Sequence, residues 1–207
     1  MKKLLILLML LPLAASAKYY KATVTLNDGT IKVGLVELPE YPDDATIKFK
    51  TELKSKAESL SSADVNSFEV TNERKEQIKF ITIIVADVGT FNRKKITVGT
   101  KKSWLRVIKE GKISLYSGHA AYDAGAKTGG ATLFYIKREH NDYALLLDES
   151  SDGGLTFVMN GFSNLKSIVK SYFEEDCPKL YELLTKEDLK KNGYVHIVDL
   201  YEQNCGK

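Results

Sequence analysis

Four short apolar runs separated by turn signals constrain the fold of this chain more than any other feature. The runs are residues 104–108, 113–116, 133–136 and 143–147. Glu110-Gly111 and the polar segment 138–142 can close the two outer pairs as local hairpins, and the longer, glycine-rich connection 117–130 joins the middle pair. This alternation predicts an antiparallel β meander that carries the core of the sheet.

The first seventeen residues have the pattern of a secretory signal. Lys2 and Lys3 precede an apolar run at residues 4–13, and Ala15-Ser16-Ala17 places small residues at the two positions that a signal peptidase reads. The run is too short to cross a bilayer of about 30 Å, and no later segment is longer and uniformly apolar. The residue directly after the predicted cleavage site is Lys18 and not a cysteine, so the pattern of a lipid-anchored lipoprotein is missing. We therefore expect a secreted or periplasmic protein without a lipid anchor or a transmembrane helix in the mature chain.

The charge balance argues against nucleic acid as a partner. Of 30 basic residues, Lys2 and Lys3 leave with the signal, so 28 basic residues face 27 acidic ones and the mature chain carries +1. Such a chain has no long-range field that favours nucleic acid or an anionic membrane. A local basic cluster, residues 93–95 and 101–102, has two interpretations, a solvated hairpin that protects a sheet edge or a patch for an acidic partner.

An N-terminal hairpin is predicted around Asp28-Gly29. A two-residue turn there places Leu26 opposite Ile31 and Val24 opposite Val33, with all four side chains on the buried face. A loop at 37–44 follows, then strands at 47–49, 65–70 and 78–86 around an exposed polar segment, 51–62.

From Gly161 the apolar period changes from two to between three and four residues, which predicts an amphipathic helix over 163–174. Pro178 can open a second helix with Leu180, Leu183 and Leu184 turned inward. Thr185 begins a capping box, and Gly193 ends that segment before a last helical stripe at 194–201. The predicted fold class is α+β, a mostly antiparallel, barrel-like sheet with a short C-terminal helical segment. Its predicted parts are the signal 1–17, a β-rich part 18–86, the meander 87–161 and the helical tail 162–207.

Two resemblances accompany these patterns. A strand, an Asp-Gly turn, Gly34 in the second strand and the Ser-Phe-Glu-Val run at 67–70 resemble small SH3-like barrels of the Sm type over 19–86. The segments 111–116, 133–139 and 172–178 resemble a group of secreted, uncharacterised proteins common in Bacteroidetes. The second resemblance implies an exported protein and transfers no activity, cofactor or catalytic residue.

Signals for chemistry are sparse. The three histidines are far apart and no Cys-x-x-Cys or His-x-x-x-His spacing occurs, so no metal or other cofactor is predicted. Residues 117–120 lack a nucleophile elbow, and the glycines near Lys127 do not match a phosphate loop. No catalytic residue is assigned. His119, Tyr122 and Asp123, in the connection 117–130, are the candidate ligand loop, because long connections on a rigid sheet often carry binding groups.

We therefore expect a non-catalytic interaction or binding module of the bacterial envelope, with a peptide, a glycan or an envelope protein as its partner. The alternative is an enzyme whose site is assembled from scattered loop residues around 117–130. A deep pocket that joins His119 to an acid and a hydroxyl favours the enzyme, and a shallow aromatic groove or an exposed sheet edge favours the module.

Cys177 and Cys205 are the only cysteines. An even count, an oxidising destination and the absence of metal spacing predict that they form a disulfide that clasps the helical tail. The alternative is a pair of free, buried thiols.

Overall fold

The computed structural model describes residues 18–89, 92–120, 130–151 and 161–206. The strands are β1 (Tyr19–Leu26), β2 (Ile31–Glu37), β3 (Thr46–Lys50), β4 (Glu58–Ser61), β5 (Val65–Thr71), β6 (Gln77–Val88), β7 (Ile96–Lys109), β8 (Ile113–Ala120), β9 (Ala131–Arg138) and β10 (Tyr143–Ser151). The helices are α1 (Gly161–Tyr172), α2 (Leu180–Leu183), α3 (Lys186–Asn192) and α4 (Val195–Asn204).

All of these strands belong to one sheet, in the order β10-β9-β8-β7-β6-β5-β1-β2-β3-β4. Strand β6 has two neighbours on the edge away from β7, because residues 77–81 pair with β5 and residues 84–86 pair in parallel with β10. The parallel pairing closes β6 to β10 into a five-stranded barrel. The predicted α+β class is confirmed. The boundary predicted after residue 86 lies inside β6.

The register predicted for the first hairpin is wrong by one residue. Leu26 donates its N–H to the carbonyl oxygen of Thr30 at 2.9 Å, so the turn holds three residues. Gly29 supplies a φ of +85°, which a residue with a Cβ rarely adopts. Ile31 therefore pairs with Thr25, and the apolar side chains of β2 lie on the face opposite to the predicted one. Ile31 and Val33 are 64% and 72% exposed.

Two packed regions lie on opposite faces of the barrel strands. Successive side chains point to opposite faces of a strand. Leu105, Tyr116 and Tyr135 form a cluster on one face. On the other face, Leu115 and Ile136 pack against the helices. A separate core fills the N-terminal strands. Its buried side chains are Ala22, Val24, Val36, Ile47, Phe49, Leu60, Val65, Phe68, Val70 and Trp104.

Trp104 connects the barrel to that N-terminal core. It comes from β7, yet its ring meets the ring of Phe68 edge to face at 5.7 Å between centroids. Its indole Nε1–H donates to the carbonyl oxygen of Asp44 at 2.8 Å. Burial of this large side chain, which is 1% exposed, therefore fixes β7 against the loop before β3.

The polar segment 51–62 is less open than expected. It contains β4, an edge strand that pairs with β3, and Leu60 of β4 is buried. The strands predicted around Ile47, Val65 and Ile78 are present as β3, β5 and β6.

The helical segment follows the predicted pattern in most details. Helix α1 buries Leu165, Ile168, Val169 and Tyr172 against the sheet. Thr185 caps α3 by accepting the N–H of Asp188 at 3.1 Å, and Gly193 ends that helix at a φ of +69°. The prediction that Leu183 turns inward is wrong, because α2 has only one turn and buries Leu180 while Leu183 is 39% exposed.

The predicted disulfide between Cys177 and Cys205 is present, with 5.6 Å between the Cα atoms. Beside it, Arg138 of β9 forms an ion pair with Asp176 at 2.9 Å and lies over the ring of Tyr172, 4.4 Å from the centroid. The disulfide and the ion pair together fasten the last helix to the start of α2 and to the sheet. Within the described ranges, no helix is long and apolar enough to cross a membrane.

Candidate binding cleft

The structure corrects the extent of the connection that carries the candidate residues. Strand β8 continues to Ala120 and β9 starts at Ala131, so the first four residues of the predicted connection 117–130 are strand. His119 is exposed and pairs with Thr132 across β8 and β9. Tyr122 and Asp123 lie outside the described residues. His119 is therefore a strand residue that presents its side chain from a sheet face.

A cleft opens where β7 and β8 separate. The two strands pair only near the far end of β7, from Arg106 onward. Nearer its start, the backbone N–H of Trp104 donates to the carbonyl oxygen of Pro42 at 2.7 Å, so the segment 38–42 replaces β8 as the neighbour of β7. Gly118 allows this approach, because a Cβ at that position would lie 2.6 Å from Cγ of Pro42.

Two rows of side chains form the sheet wall of the cleft. Phe80, Arg106 and Ser117 are cross-strand neighbours in one row. Trp104 and His119 lie in the adjacent row, on β7 and β8 respectively. The volume is about 350 Å³, in the range of small-ligand sites. The described residues that line it are Leu38, Pro39, Tyr41, Pro42, Ile78, Phe80, Trp104, Arg106, Ser117, Gly118, His119 and Thr132.

The cleft contains one cationic side chain, Arg106, and no acid among its described lining residues. Arg106 is exposed at its wall, and a guanidinium stays protonated at any ordinary pH. None of the described lining residues is Asp or Glu, and no described carboxylate forms an ion pair with Arg106. The cleft therefore offers an apolar, aromatic surface beside an uncompensated cation.

The cleft has hydroxyl groups near His119, and none of its described lining residues is an acid that could orient the imidazole. Ser117 and Thr132 lie on the same face as His119, yet neither hydroxyl is hydrogen-bonded to its ring among the described residues. A nucleophile and its base normally lie within hydrogen-bond reach, with a third group that orients the base. Likewise, no group of three or more potential metal ligands occurs in the described ranges.

A second depression, of about 450 Å³, lies on the outer face of β1, β2 and β5. The exposed side chains of Val33 and Leu53 border it, as a consequence of the register of the first hairpin. Its charged lining residues are of both signs, Lys21 with Glu52 and Glu69, so it offers no uncompensated cation. We therefore regard the cleft beside Trp104 as the candidate site.

The basic cluster makes contacts within the protein. Lys94 forms an ion pair with Glu174 at 2.6 Å, and the guanidinium of Arg93 donates to the side-chain oxygen of Asn164 in α1. Glu174 in turn has a lowered pKa, mainly because Lys94 hydrogen-bonds to its charged form. These contacts hold the start of β7 against the helical segment.

One titrating pair lies between the sheet and the helices, away from the cleft. The hydroxyl of Tyr194 donates to Oδ2 of Asp148 at 2.5 Å. Burial raises the pKa of Asp148 above its ordinary value, although the hydrogen bond from Tyr194 opposes this shift. Burial and the same carboxylate also raise the pKa of the Tyr194 hydroxyl. The pair thus fixes α4 to β10 and is a structural contact.

Sequence reasoning identified His119 and missed the rest of the cleft. Arg106 and Trp104 appear in the sequence only as members of a strand, and residues 37–44 only as a loop with two prolines. A tryptophan and an arginine two residues apart in a strand share one face, which is the signal that was available. Comparisons with protein-family models, curated protein sequences and solved structures found no match to this chain.

Proposed function

We propose that this protein is an exported, non-catalytic binding module of the bacterial envelope that holds its partner in the cleft beside Trp104. The observation that carries the proposal is the composition of the cleft, where aromatic and apolar walls surround Arg106 and His119 and no described lining residue is an acid. Apolar walls with a few convergent polar groups are typical of binding sites.

Export is supported by two independent features. Residues 1–17 have the order of a secretory signal, and the disulfide between Cys177 and Cys205 is of a kind that persists in oxidising compartments. The resemblance to secreted proteins of Bacteroidetes agrees with both. The proposed location is therefore the periplasm or the cell exterior, where a peptide, a glycan or an envelope protein is available as a partner.

The experiment is a pull-down from native envelope extract with the mature chain as bait, together with two variants. His119→Trp fills the mouth of the cleft from an exposed strand position, and Thr97→Trp makes the same change at an exposed position of β7 outside the cleft. Both positions tolerate a large residue, because neither side chain is buried and strands favour aromatics.

We expect wild type and Thr97→Trp to capture the same partner and His119→Trp to lose it. Equal capture by all three would contradict binding in this cleft. If the mature chain chemically converts a component of the extract and His119→Ala does not, the result would support the alternative that the protein is an enzyme.

A further inference from the structure

We infer that the cleft recognises the C-terminal end of an extended peptide, with Arg106 paired to the terminal carboxylate and the aromatic walls in contact with the last side chain. The inference rests on the proposed function, because it names the ligand of the same cleft. Three properties of the described residues lead to it.

The first property is charge. The chain has four arginines, and two of them are engaged, Arg93 with a side-chain amide of α1 and Arg138 with Asp176. Arg74 lies in an exposed turn. Arg106 lines the cleft beside Trp104, and no described carboxylate forms an ion pair with it. A planar guanidinium presents two parallel N–H donors that match the two oxygens of a carboxylate.

The second property is the shape of the apolar surface next to that cation. Phe80 is the direct cross-strand neighbour of Arg106, and Trp104 lies two residues before it on the same face of β7. The prolines of the segment 38–42 form the facing wall. A carboxylate bound to Arg106 would therefore place the group attached to it against rings, which favours an apolar or aromatic side chain over a polar sugar.

The third property is a strand edge beside the cleft that no described strand covers. Past Gly118, which Pro42 approaches, residues 119–120 of β8 pair with β9 on one side and with no described strand on the side of β7. An extended peptide can add to such an edge through main-chain hydrogen bonds, while pockets read its side chains. A glycan has no alternating N–H and C=O groups to exploit this edge, so the edge favours a peptide.

The test uses three probes and three proteins, measured by isothermal titration calorimetry and by the fluorescence of Trp104, the only tryptophan in the chain. The probes are acetylated alanyl-alanyl-phenylalanine with a free carboxylate, the same peptide as its C-terminal amide, and glucuronate. The proteins are the mature chain, Arg106→Gln and the control Arg74→Gln, which removes an exposed arginine from a turn outside the cleft.

We expect the carboxylate peptide to bind the mature chain and Arg74→Gln about five- to tenfold more tightly than the amide does, as the loss of a charge-assisted hydrogen bond predicts. Arg106→Gln should bind both peptides with the affinity of the amide. Trp104 fluorescence should change on binding, and glucuronate should bind more weakly than either peptide.

Failure of this inference can be separated from failure of the proposed function. His119→Trp is measured with the same probes as a fourth protein. If acid and amide bind equally and His119→Trp abolishes both, the cleft binds peptides but does not read a carboxylate, and the inference is overturned while the function stands. Tighter binding of glucuronate, or full carboxylate preference in Arg106→Gln, also overturns it. If no probe binds, but the pull-down still captures a partner that His119→Trp loses, the inference is overturned and the proposed function stands.

Discussion

Removing the disulfide should lower the stability of the whole fold by an amount that can be worked out. The change is Cys177→Ala combined with Cys205→Ala. The bridge joins residues separated by 28 positions. Chain-entropy reasoning gives a loss of roughly 12 cal/mol/K in the unfolded state for such a loop, or about 3.6 kcal/mol at 25 °C. That is a large share of a typical domain stability of about 5 to 15 kcal/mol.

The folded structure itself should survive the substitution. Asp176 keeps its ion pair with the sheet, Glu202 of α4 accepts the backbone N–H of Lys112 at 2.7 Å, and Asp199 pairs with Lys109. These contacts hold both ends of the helical tail without the bridge. The expected loss therefore lies in the entropy of the unfolded chain, and far-UV circular dichroism of the variant in water should match that of the oxidised protein.

The assay is urea unfolding, followed by far-UV ellipticity for the helices and by Trp104 fluorescence for the N-terminal core. Oxidised wild type, reduced wild type and the double variant are compared. We expect the two wild-type forms to differ by about 3 to 4 kcal/mol. The free energy of unfolding of the double variant should equal that of the reduced wild type and should not change when reductant is added.

A difference below about 1 kcal/mol would refute the chain-entropy reasoning. Loss of the helical signal well before the Trp104 signal would refute the claim that the tail and the N-terminal core unfold as one unit.

Three further predictions concern single contacts. Because the pKa of Asp148 is higher in the folded than in the unfolded protein, the wild type loses stability as the pH rises from about 4 through the folded pKa. Asp148→Asn has no such group, so it should become more stable relative to wild type over the same pH range. Stability curves at several pH values, with Tyr194→Phe as the control that removes the hydrogen bond but leaves the acid, measure it. Arg138→Ala should cost about 2 to 4 kcal/mol, since it breaks a largely buried ion pair and a cation–π contact, and Arg138→Lys should cost less. Gly118→Ala should cost about 1 to 3 kcal/mol and weaken ligand binding, because its Cβ would displace Pro42, as urea unfolding and titration can show.

Each of these predictions has a clear contrary outcome. A pH profile of Asp148→Asn parallel to that of wild type would mean that the carboxylate titrates as it does in the unfolded chain. Equal stability of Arg138→Ala and wild type would show that the ion pair only offsets its own desolvation. An unchanged ligand affinity in Gly118→Ala would show that the segment 38–42 does not contribute to the binding cleft.

Much of the fold was predictable because local patterns determine it. Alternating side chains identified most strands, and the spacing of apolar residues identified α1 with its buried face. Thr185 and Gly193 marked the limits of α3 because caps satisfy backbone groups that the helix leaves open. Local patterns missed the following two parts, among others. A left-handed residue at Gly29 added one position to the first turn, and β4 has a single buried residue, Leu60, among polar ones.

The candidate site was less predictable because its members are distant in the sequence. His119 was found as part of a glycine-rich connection, although it belongs to a strand. The cleft exists because Pro42 accepts a backbone hydrogen bond from Trp104, a contact between residues far apart in the chain. Periodicity in β7 shows that Arg106 and Trp104 share a face, but it does not show which segment lies opposite.

The double use of β6 determines the order in which this protein can finish folding. Strand β5 directly precedes β6 in the sequence, so it can pair with the first half of β6 as soon as both segments are free to fold. The second half must wait for β10, since Ile84 pairs with Tyr143. Until then, one edge at residues 84–86 has no strand beside it, and an exposed edge can join another chain. The state in which β6 has formed and β10 has not yet paired with it is therefore the stage of folding most vulnerable to aggregation and most dependent on a chaperone.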